Sequence, residues 1–332
     1  MRYFGSKATT VERVYELIAK RVPSGTFCDA FGGLGFVGSH FKSKGYKVWT
    51  GDILTFAHYF QLARIQLDRT VSFRRLRSMM RLDTIGDVVG SLNALTPRNG
   101  WLVEEYAKKR RFFTLENAMR AQSCRLQIDA WSRKKCLSDH ERAVLLASLI
   151  NSMDRVANTA GTYYAYLKSW HRKALLPFRF ELIRPAKGNP DCSSILADAR
   201  DLVALQKFDV LYLDPPYNER SYATYYHLPE SIAKGSRPRT HGKSGMPNQD
   251  MAVSAFNRPA KALNALEELV EAAKFRLLAF HYSDDGHISR SQLRSLFSRY
   301  GKVEEFIVRS KGYTTLREPR TIKHRLYLVN RG

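Results

Sequence analysis

The stretch that most constrains this chain is LYLDPPYNERSYATYYH, from Leu211 to His227. An apolar run, Phe208–Leu213, leads straight into Asp214-Pro215-Pro216-Tyr217. Such a run followed by two prolines reads as a buried strand that stops abruptly. Open α/β sheets bind their ligands beyond the C-terminal tips of strands, and this tip carries a carboxylate, two prolines and an aromatic. A proline has no N–H and holds φ at about −65°, so the loop is stiff and its carbonyls are free to accept hydrogen bonds. That chemistry suits an exocyclic amine on a planar base, whose lone pair is delocalised into the ring. Two acceptors, the Asp214 carboxylate and the Pro215 carbonyl, would each take one amine hydrogen and favour a tetrahedral nitrogen with its lone pair facing an electrophile. Pro216 stiffens the turn and Tyr217 is placed to stack on the base. The competing reading is structural: an Asp-Pro turn closing a strand, with a core tyrosine after it.

Three other stretches read as strand ends. Thr26–Phe31 is a short buried strand followed by a Gly-rich turn and a helix from about Phe36 to Lys44. Gly32, Gly33 and Gly35 let backbone approach a ligand closely at a helix N-terminus. The turn does not follow G-x-G-x-x-G, and by itself fits a nucleotide or no ligand at all. Lys47–Thr50 is a second strand with Asp52 at its end, where nucleotide-binding α/β folds place an acid on the ribose hydroxyls; a plain helix cap before Ile53 is the other reading. SILADARDL, beginning at Ser194, predicts a strand ending at Asp198. At the start, RYFGSK (2–7) precedes a helix from about Thr9, with Thr9 and Glu12 as a capping box and Val11, Val14, Tyr15 and Ile18 on one face.

Between Phe60 and Lys135 stand 16 Lys or Arg against 7 Asp or Glu, with aromatics interleaved in KKRRFF (108–113) and WSRKK (131–135). Residues 53–190 read as helical and basic, without strand–turn–helix alternation. Ser138–Ala157 predicts a strong helix opened by a Ser138–Glu141 capping box. ANTAGTYYAYLKSW (157–170) mixes Gly, Tyr and Lys and by its residues reads as a helix pair with core tyrosines; the family resemblance given below implies a DNA-facing region instead. Each charge run alone is an ordinary solvated face. The whole chain, with 54 Lys and Arg against 31 Asp and Glu and a net charge of +23, calls for a polyanionic partner, nucleic acid first. An anionic membrane fits poorly, because the longest largely apolar stretch, Ala143–Ile150, has the length of a core helix. No signal peptide is visible after Met1. The four cysteines are scattered without a C-x-x-C pair, which suggests reduced thiols, a cytoplasmic setting, and neither a disulfide framework nor a metal site.

Further along, Lys234–Asp250 holds one apolar residue, Met246, and predicts a mobile loop. Lys261–Ala273 and Ser289–Arg299 predict helices, Leu277–His281 a strand, and Val303–Arg309 with Arg325–Val329 a terminal hairpin.

Asp214-Pro215-Pro216-Tyr217 resembles motif IV of the amino-methyltransferases, and NERSYATYYHLPESIA resembles the segment after that motif in the Dam-like DNA adenine methyltransferases. Tyr3, Gly5, Ser6 and Lys7 resemble motif X of that group, and Asp29, Phe31, Gly33 and Gly35 resemble motif I. Asp198 matches the acid of motif III, which contacts the donor adenine. YSDDGHIS resembles the S-Y-x-D-x-G-x-x-S stretch, with His281 in place of the first Ser.

The resemblance implies an α/β, Rossmann-like three-layer methyltransferase sheet (residues 1–55 and 190–332) with a helical DNA-recognition insert (56–189). It implies S-adenosylmethionine as methyl donor, held by Tyr3, Lys7, Asp29, Phe31, Gly33, Gly35, Asp52 and Asp198. It implies methylation of adenine N6 in double-stranded DNA at Asp214–Tyr217, with the base swung out of the duplex, and it leaves room for a cognate restriction endonuclease as partner. Arg110, Arg111, Lys134, Lys135, Tyr163, Lys168, Arg220, Arg237, Arg239 and Lys243 are the expected DNA contacts. Methylation of cytosine N4 or of an RNA base, and a DNA-binding protein with a vestigial donor fold, remain the alternatives.

Overall fold

The computed structural model describes residues 1–248, 251, 253–311 and 321–331. Its strands are β1 (Thr26–Asp29), β2 (Lys47–Asp52), β3 (Ser193–Leu196), β4 (Lys207–Leu213), β5 (Thr240–His241), β6 (Met246–Pro247), β7 (Lys274–Ser283), β8 (Lys302–Lys311) and β9 (Thr321–Asn330). The chain divides into two compact units. A sheet unit comprises Gly5–Asp68, Ala186–Tyr222 and Ala252–Gly332, and a helical unit comprises Met1–Phe4, Arg69–Pro185 and Ala223–Met251. The division differs from the expected one at four places. Residues 56–68 and 186–189 stay with the sheet unit, while the first four residues and 223–251 join the helical one.

In the sheet unit seven strands lie in the order β3-β2-β1-β4-β7-β9-β8. β1 pairs in parallel with both β2 and β4, and β4 in parallel with β7. β9 runs antiparallel to β7 and to β8. The chain thus builds outward from β1 on one side and restarts at β4 on the other, which makes β1/β4 the topological switch point where such sheets leave a crevice for ligands. The expected terminal hairpin is present, with Val303 opposite Val329.

Both sheet faces are apolar because both are covered, as parallel sheets require. Cys28, Leu211, Leu213, Leu278 and Phe280 face helices Pro259–Ala272 and Arg290–Ser298. The alternate residues Phe27, Val210, Tyr212, Leu277 and Ala279 face helices α1 (Val11–Ala19) and α2 (Phe36–Ser43). Phe27 and Phe41 stack with ring centroids 3.8 Å apart, and full burial of each such ring contributes about 1.5–3 kcal/mol. The predicted capping box of α1 does not form. Thr10, not Thr9, is the N-cap, its hydroxyl donates to the Lys7 carbonyl, and Glu12 instead pairs with Lys44.

The helical unit is built on helices Leu115–Arg133 and Asp139–Arg155. The Ser138–Glu141 capping box forms in both directions, at 3.2 and 2.9 Å. Residues 157–170 are not a helix pair. Tyr163 is 1% exposed and Tyr166 packs edge-on against Phe112, so the core-tyrosine half of that reading describes these two, while Tyr164 is exposed. The predicted mobile loop is ordered over its described part. β5 and β6 pair as a small antiparallel hairpin, and residues 249 and 250 lie outside the described residues. Four side chains tether it: Trp101 Nε1 donates to the Pro238 carbonyl at 3.0 Å, Tyr106 Oη to Gly245 at 2.8 Å, Arg110 to Gly242 through Nη2 at 3.0 Å, and Glu105 accepts from the Thr240 hydroxyl. Composition left this segment unable to order itself; tethering groups from distant sequence do so.

Candidate active site

Parallel pairing of β1 and β4 sets Asp29 beside Tyr212, two residues short of Asp214. The Gly-rich turn leaving β1 and the Asp214–Tyr217 segment leaving β4 therefore start side by side. Gly33 and Gly35 hold φ of 50° and 76°, the left-handed region that glycine adopts without strain. Gly32 is sterically fixed too, since a Cβ there would sit 2.1 Å from Thr50 Oγ1.

Asp52, at the tip of β2, clamps this turn. Its Oδ2 accepts from Gly33 N–H at 3.1 Å and its Oδ1 from Leu54 N–H at 2.9 Å. Gln61 Nε2 donates to the Gly33 carbonyl at 2.9 Å, and Arg64 Nη1 to that of Leu34 at 2.8 Å. Neither residue was read from the sequence as part of the site, because both were placed in the insert. Phe31 packs edge-on against Phe256 at 5.3 Å. β3 ends at Leu196, earlier than predicted, and exposed Asp198 N-caps the next helix by accepting from Arg200 N–H at 2.9 Å.

Asp214 forms an ion pair with Lys7, Nζ to Oδ2 2.7 Å, with the Lys7 side chain 6% and the Asp214 side chain 15% exposed. Lys7 Nζ also donates to the Gly5 carbonyl at 3.1 Å. Sequence placed Lys7 among the donor contacts; the pairing with Asp214 was not legible there. Burial pushes the Asp214 pKa up, and the Lys7 ammonium opposes that rise. The pair engages Oδ2 and leaves Oδ1 open. Pro215 is buried and Pro216 half-buried. Tyr217 is held edge-on between His324 at 5.7 Å and Tyr282 at 6.2 Å, and its carbonyl accepts from His287 N–H at 3.2 Å. Asn257 Nδ2 donates to the carbonyls of Asn218 and Arg220, which fixes the adjoining loop and leaves the Arg220 side chain exposed.

Asp29 is buried with Oδ1 unpartnered, and its pKa is pushed up to about 7, first by burial, then by the charges of Asp214 and Asp52. Three carboxylates thus converge where the described residues supply one ammonium, Lys7. A cationic ligand seated there would relieve their repulsion.

In the helical unit, Arg111, Lys134, Lys135, Lys168, Arg237, Arg239 and Lys243 are exposed. Two expected DNA contacts are not. Tyr163 is core, its N–H donating to Tyr225 and its carbonyl bonded to His227 Nε2 at 2.9 Å. Arg110 is buried and spends its guanidinium on Glu105 and Gly242. Charge pattern alone does not separate such tethering arginines from solvated ones. Tyr3 also lies in this unit, stacked on Tyr226 at 4.9 Å.

A doubly wound sheet with a glycine turn, an acid at the second strand tip and Asp-Pro-Pro-Tyr at the fourth defines a ligand-binding α/β protein with its crevice at the switch point. The chain belongs to the D12 class N6 adenine-specific DNA methyltransferase family, whose model matches residues 3–296. It is 30% identical over 319 residues to the type II methyltransferase M.FokI of Planomicrobium okeanokoites, covering 94% of this chain and 49% of that protein. It is 29% identical to the type II methyltransferase M.NlaIII of Neisseria lactamica, covering 92% and 90% respectively. It is 27% identical to the modification methylase StsI of Streptococcus sanguinis, covering 90% and 46%. The chain therefore spans about half the length of the first and third of these relatives and most of the second. Among the described residues no helix is long and apolar enough to cross a membrane.

Proposed function

We propose that this chain transfers a methyl group from S-adenosylmethionine to N6 of an adenine swung out of double-stranded DNA. The observation that carries the reading is Asp214: a carboxylate at the tip of β4, at the switch point, with Oδ1 open and a rigid Pro-Pro backbone behind it. The residues present fit the donor. Asp52 stands at the second strand tip, where such folds hold ribose hydroxyls, Gly33 and Gly35 allow close approach, and the Asp29–Asp52–Asp214 cluster favours a positive ligand. When bound, that donor supplies an electrophilic sulfonium methyl.

The chain's own residues align and polarise the amine. Asp214 Oδ1 and the Pro215 carbonyl each accept one N6 hydrogen, which localises the lone pair on nitrogen. Tyr217, braced by His324 and Tyr282, offers a ring face to the base. Alignment of amine and methyl is the main source of rate, as for other reactions between two bound partners. The proton released from N6 passes to Asp214, whose raised pKa suits it to accept.

The helical unit supplies phosphate contacts through Arg111, Lys134, Lys135, Lys168, Arg237, Arg239 and Lys243, and Arg220 adds one from the sheet unit. The relatives named as type II and modification methylases favour a cytoplasmic restriction–modification setting with a cognate endonuclease. Expression in a methylation-free host, with mapping of modified bases in its DNA, tests the reading. N6-methyladenine at one short recognition sequence is the expected result. N4-methylcytosine, or methylation confined to RNA, would replace it.

A further inference from the structure

Residues 56–68, expected in the insert, stay with the sheet unit. They begin as helix α3 (Thr55–Gln61), which widens into a π-helix, Leu62–Gln66, with an i→i+5 bond from Leu67 N–H to the Leu62 carbonyl at 3.1 Å. Such wide turns are frequent at functional sites. This one is anchored at its far end. Lys42, on α2, is fully buried and donates through Nζ to the carbonyls of Ile65 and Leu67, each at 2.7 Å. Gln66 Oε1 accepts from the N–H and the hydroxyl of Ser194 on β3, at 3.2 and 2.9 Å. Ile65 packs so closely on α2 that a Cβ at Gly38 would lie 2.7 Å from its Cδ1.

Two side chains reach from this anchored segment to the turn Gly32-Gly33-Leu34-Gly35. Gln61, fully buried, donates through Nε2 to the Gly33 carbonyl, and Arg64 donates through Nη1 to the Leu34 carbonyl. The Arg64 guanidinium packs over two rings, 4.9 Å from the Phe36 centroid and 5.1 Å from that of Phe60. Burial lowers its pKa to about 10, so it stays charged at physiological pH. Asp52 accepts from the N–H of the same Gly33, so both polar groups of that residue are held. Glycine loses more backbone freedom on ordering than any other residue. A ligand that meets a turn ordered only part of the time binds more weakly by that fraction. We propose that Gln61 and Arg64 are positioning residues for the methyl donor. By fixing the Gly33 and Leu34 carbonyls they keep the glycine turn in its receiving form before the donor arrives. The inference rests on the donor half of the proposed function.

The competing account is that the two bonds only satisfy carbonyls behind the turn. Donor affinity separates the accounts. S-adenosylmethionine affinity by calorimetry, donor-free duplex affinity by fluorescence anisotropy, thermal midpoint and amide hydrogen exchange are measured for wild type, Gln61→Met, Arg64→Met and Arg64→Lys. Methionine keeps an unbranched stem and removes the N–H donors. Donor affinity should fall about threefold to tenfold in Gln61→Met. It should fall further in Arg64→Met, whose lost bond is charge-assisted, and recover in part in Arg64→Lys. Duplex affinity should be unchanged. A lower thermal midpoint with wild-type donor affinity in both Met variants overturns the inference, as does an equal loss of donor and duplex affinity. Exchange in the wild type tests it even if the variants do not fold. The Gly33 and Gly35 amides should already be protected without donor; protection that appears only on donor binding overturns the inference. A wild-type protein that binds no S-adenosylmethionine fails the underlying reading instead.

Discussion

Lys7 and Asp214 meet at 2.7 Å, Nζ to Oδ2, although one precedes the first helix and the other comes after the fourth strand. The pair decides the charge state of the strand tip. Burial pushes the Asp214 pKa up, and the ammonium beside it opposes that rise. Replacing Lys7 by Met removes the opposing charge, so the Asp214 pKa rises further. The acid limb of the kcat profile should move to higher pH, with kcat down about tenfold or more near neutrality. Lys7→Arg should restore part of the rate. A pH–rate profile of the Met variant that overlays wild type would remove Lys7 from this role.

Asp214→Asn should abolish methyl transfer and leave donor binding nearly intact. The amide turns an acceptor into a partial donor at the atom the amine must meet. Single-turnover methylation with donor-binding calorimetry checks both halves, and near-normal turnover would contradict the assignment.

Asp52→Ala should weaken donor binding by about 1–3 kcal/mol, the scale of hydrogen bonds lost to a charged group. The same change frees Gly33 N–H, which Asp52 Oδ2 accepts at 3.1 Å, so some loosening of the glycine turn should accompany it. Unchanged affinity by calorimetry would take Asp52 out of the donor site.

Asp29 links the site to pH. Its folded pKa of about 7 lies above the ordinary 3.8, so the ionised form is the disfavoured one. Its cost to stability is absent below the lower value and fully present above the upper one. Asp29→Asn should therefore raise the thermal midpoint more at alkaline than at acid pH. A cationic donor favours the ionised form, so wild-type affinity should tighten as pH rises through about 7, with proton release visible as buffer-dependent binding enthalpy. Donor affinity flat from about pH 6 to about pH 8 would argue against this coupling.

Arg110 holds the β5–β6 hairpin through the Gly242 carbonyl. Arg110→Ala should speed tryptic cleavage at Arg239 or Lys243 and lower the melting temperature, because only Trp101, Tyr106 and Glu105 would be left among the tethers named above. Arg237 is a poor site for trypsin, since Pro238 comes next. Cleavage as slow as in wild type would show that the remaining anchors suffice.

Much of the fold was legible locally. The run into Asp214, the Gly-rich turn after Asp29, the end of β2 at Asp52 and the Ser138 cap are written in residues a few positions apart, where periodicity, missing N–H groups and side-chain caps act. The strands duly ended near those positions, although β3 stopped short of Asp198 and α1 capped at Thr10.

What the sequence by itself determined were the elements and the chemical character of their tips, since backbone sterics and local hydrogen bonding are settled within one turn or one strand. Tertiary structure alone decided which tips become neighbours. The order β3-β2-β1-β4-β7 brings Asp29, Asp52 and Asp214 together and Lys7 is seated on Asp214, while packing within the helical unit buries Tyr163 and turns Arg110 from a candidate phosphate contact into a tether. Those outcomes depend on strand order, register and desolvation, and a charge or an aromatic in a one-dimensional pattern carries no information about which distant groups will share its low-dielectric surroundings.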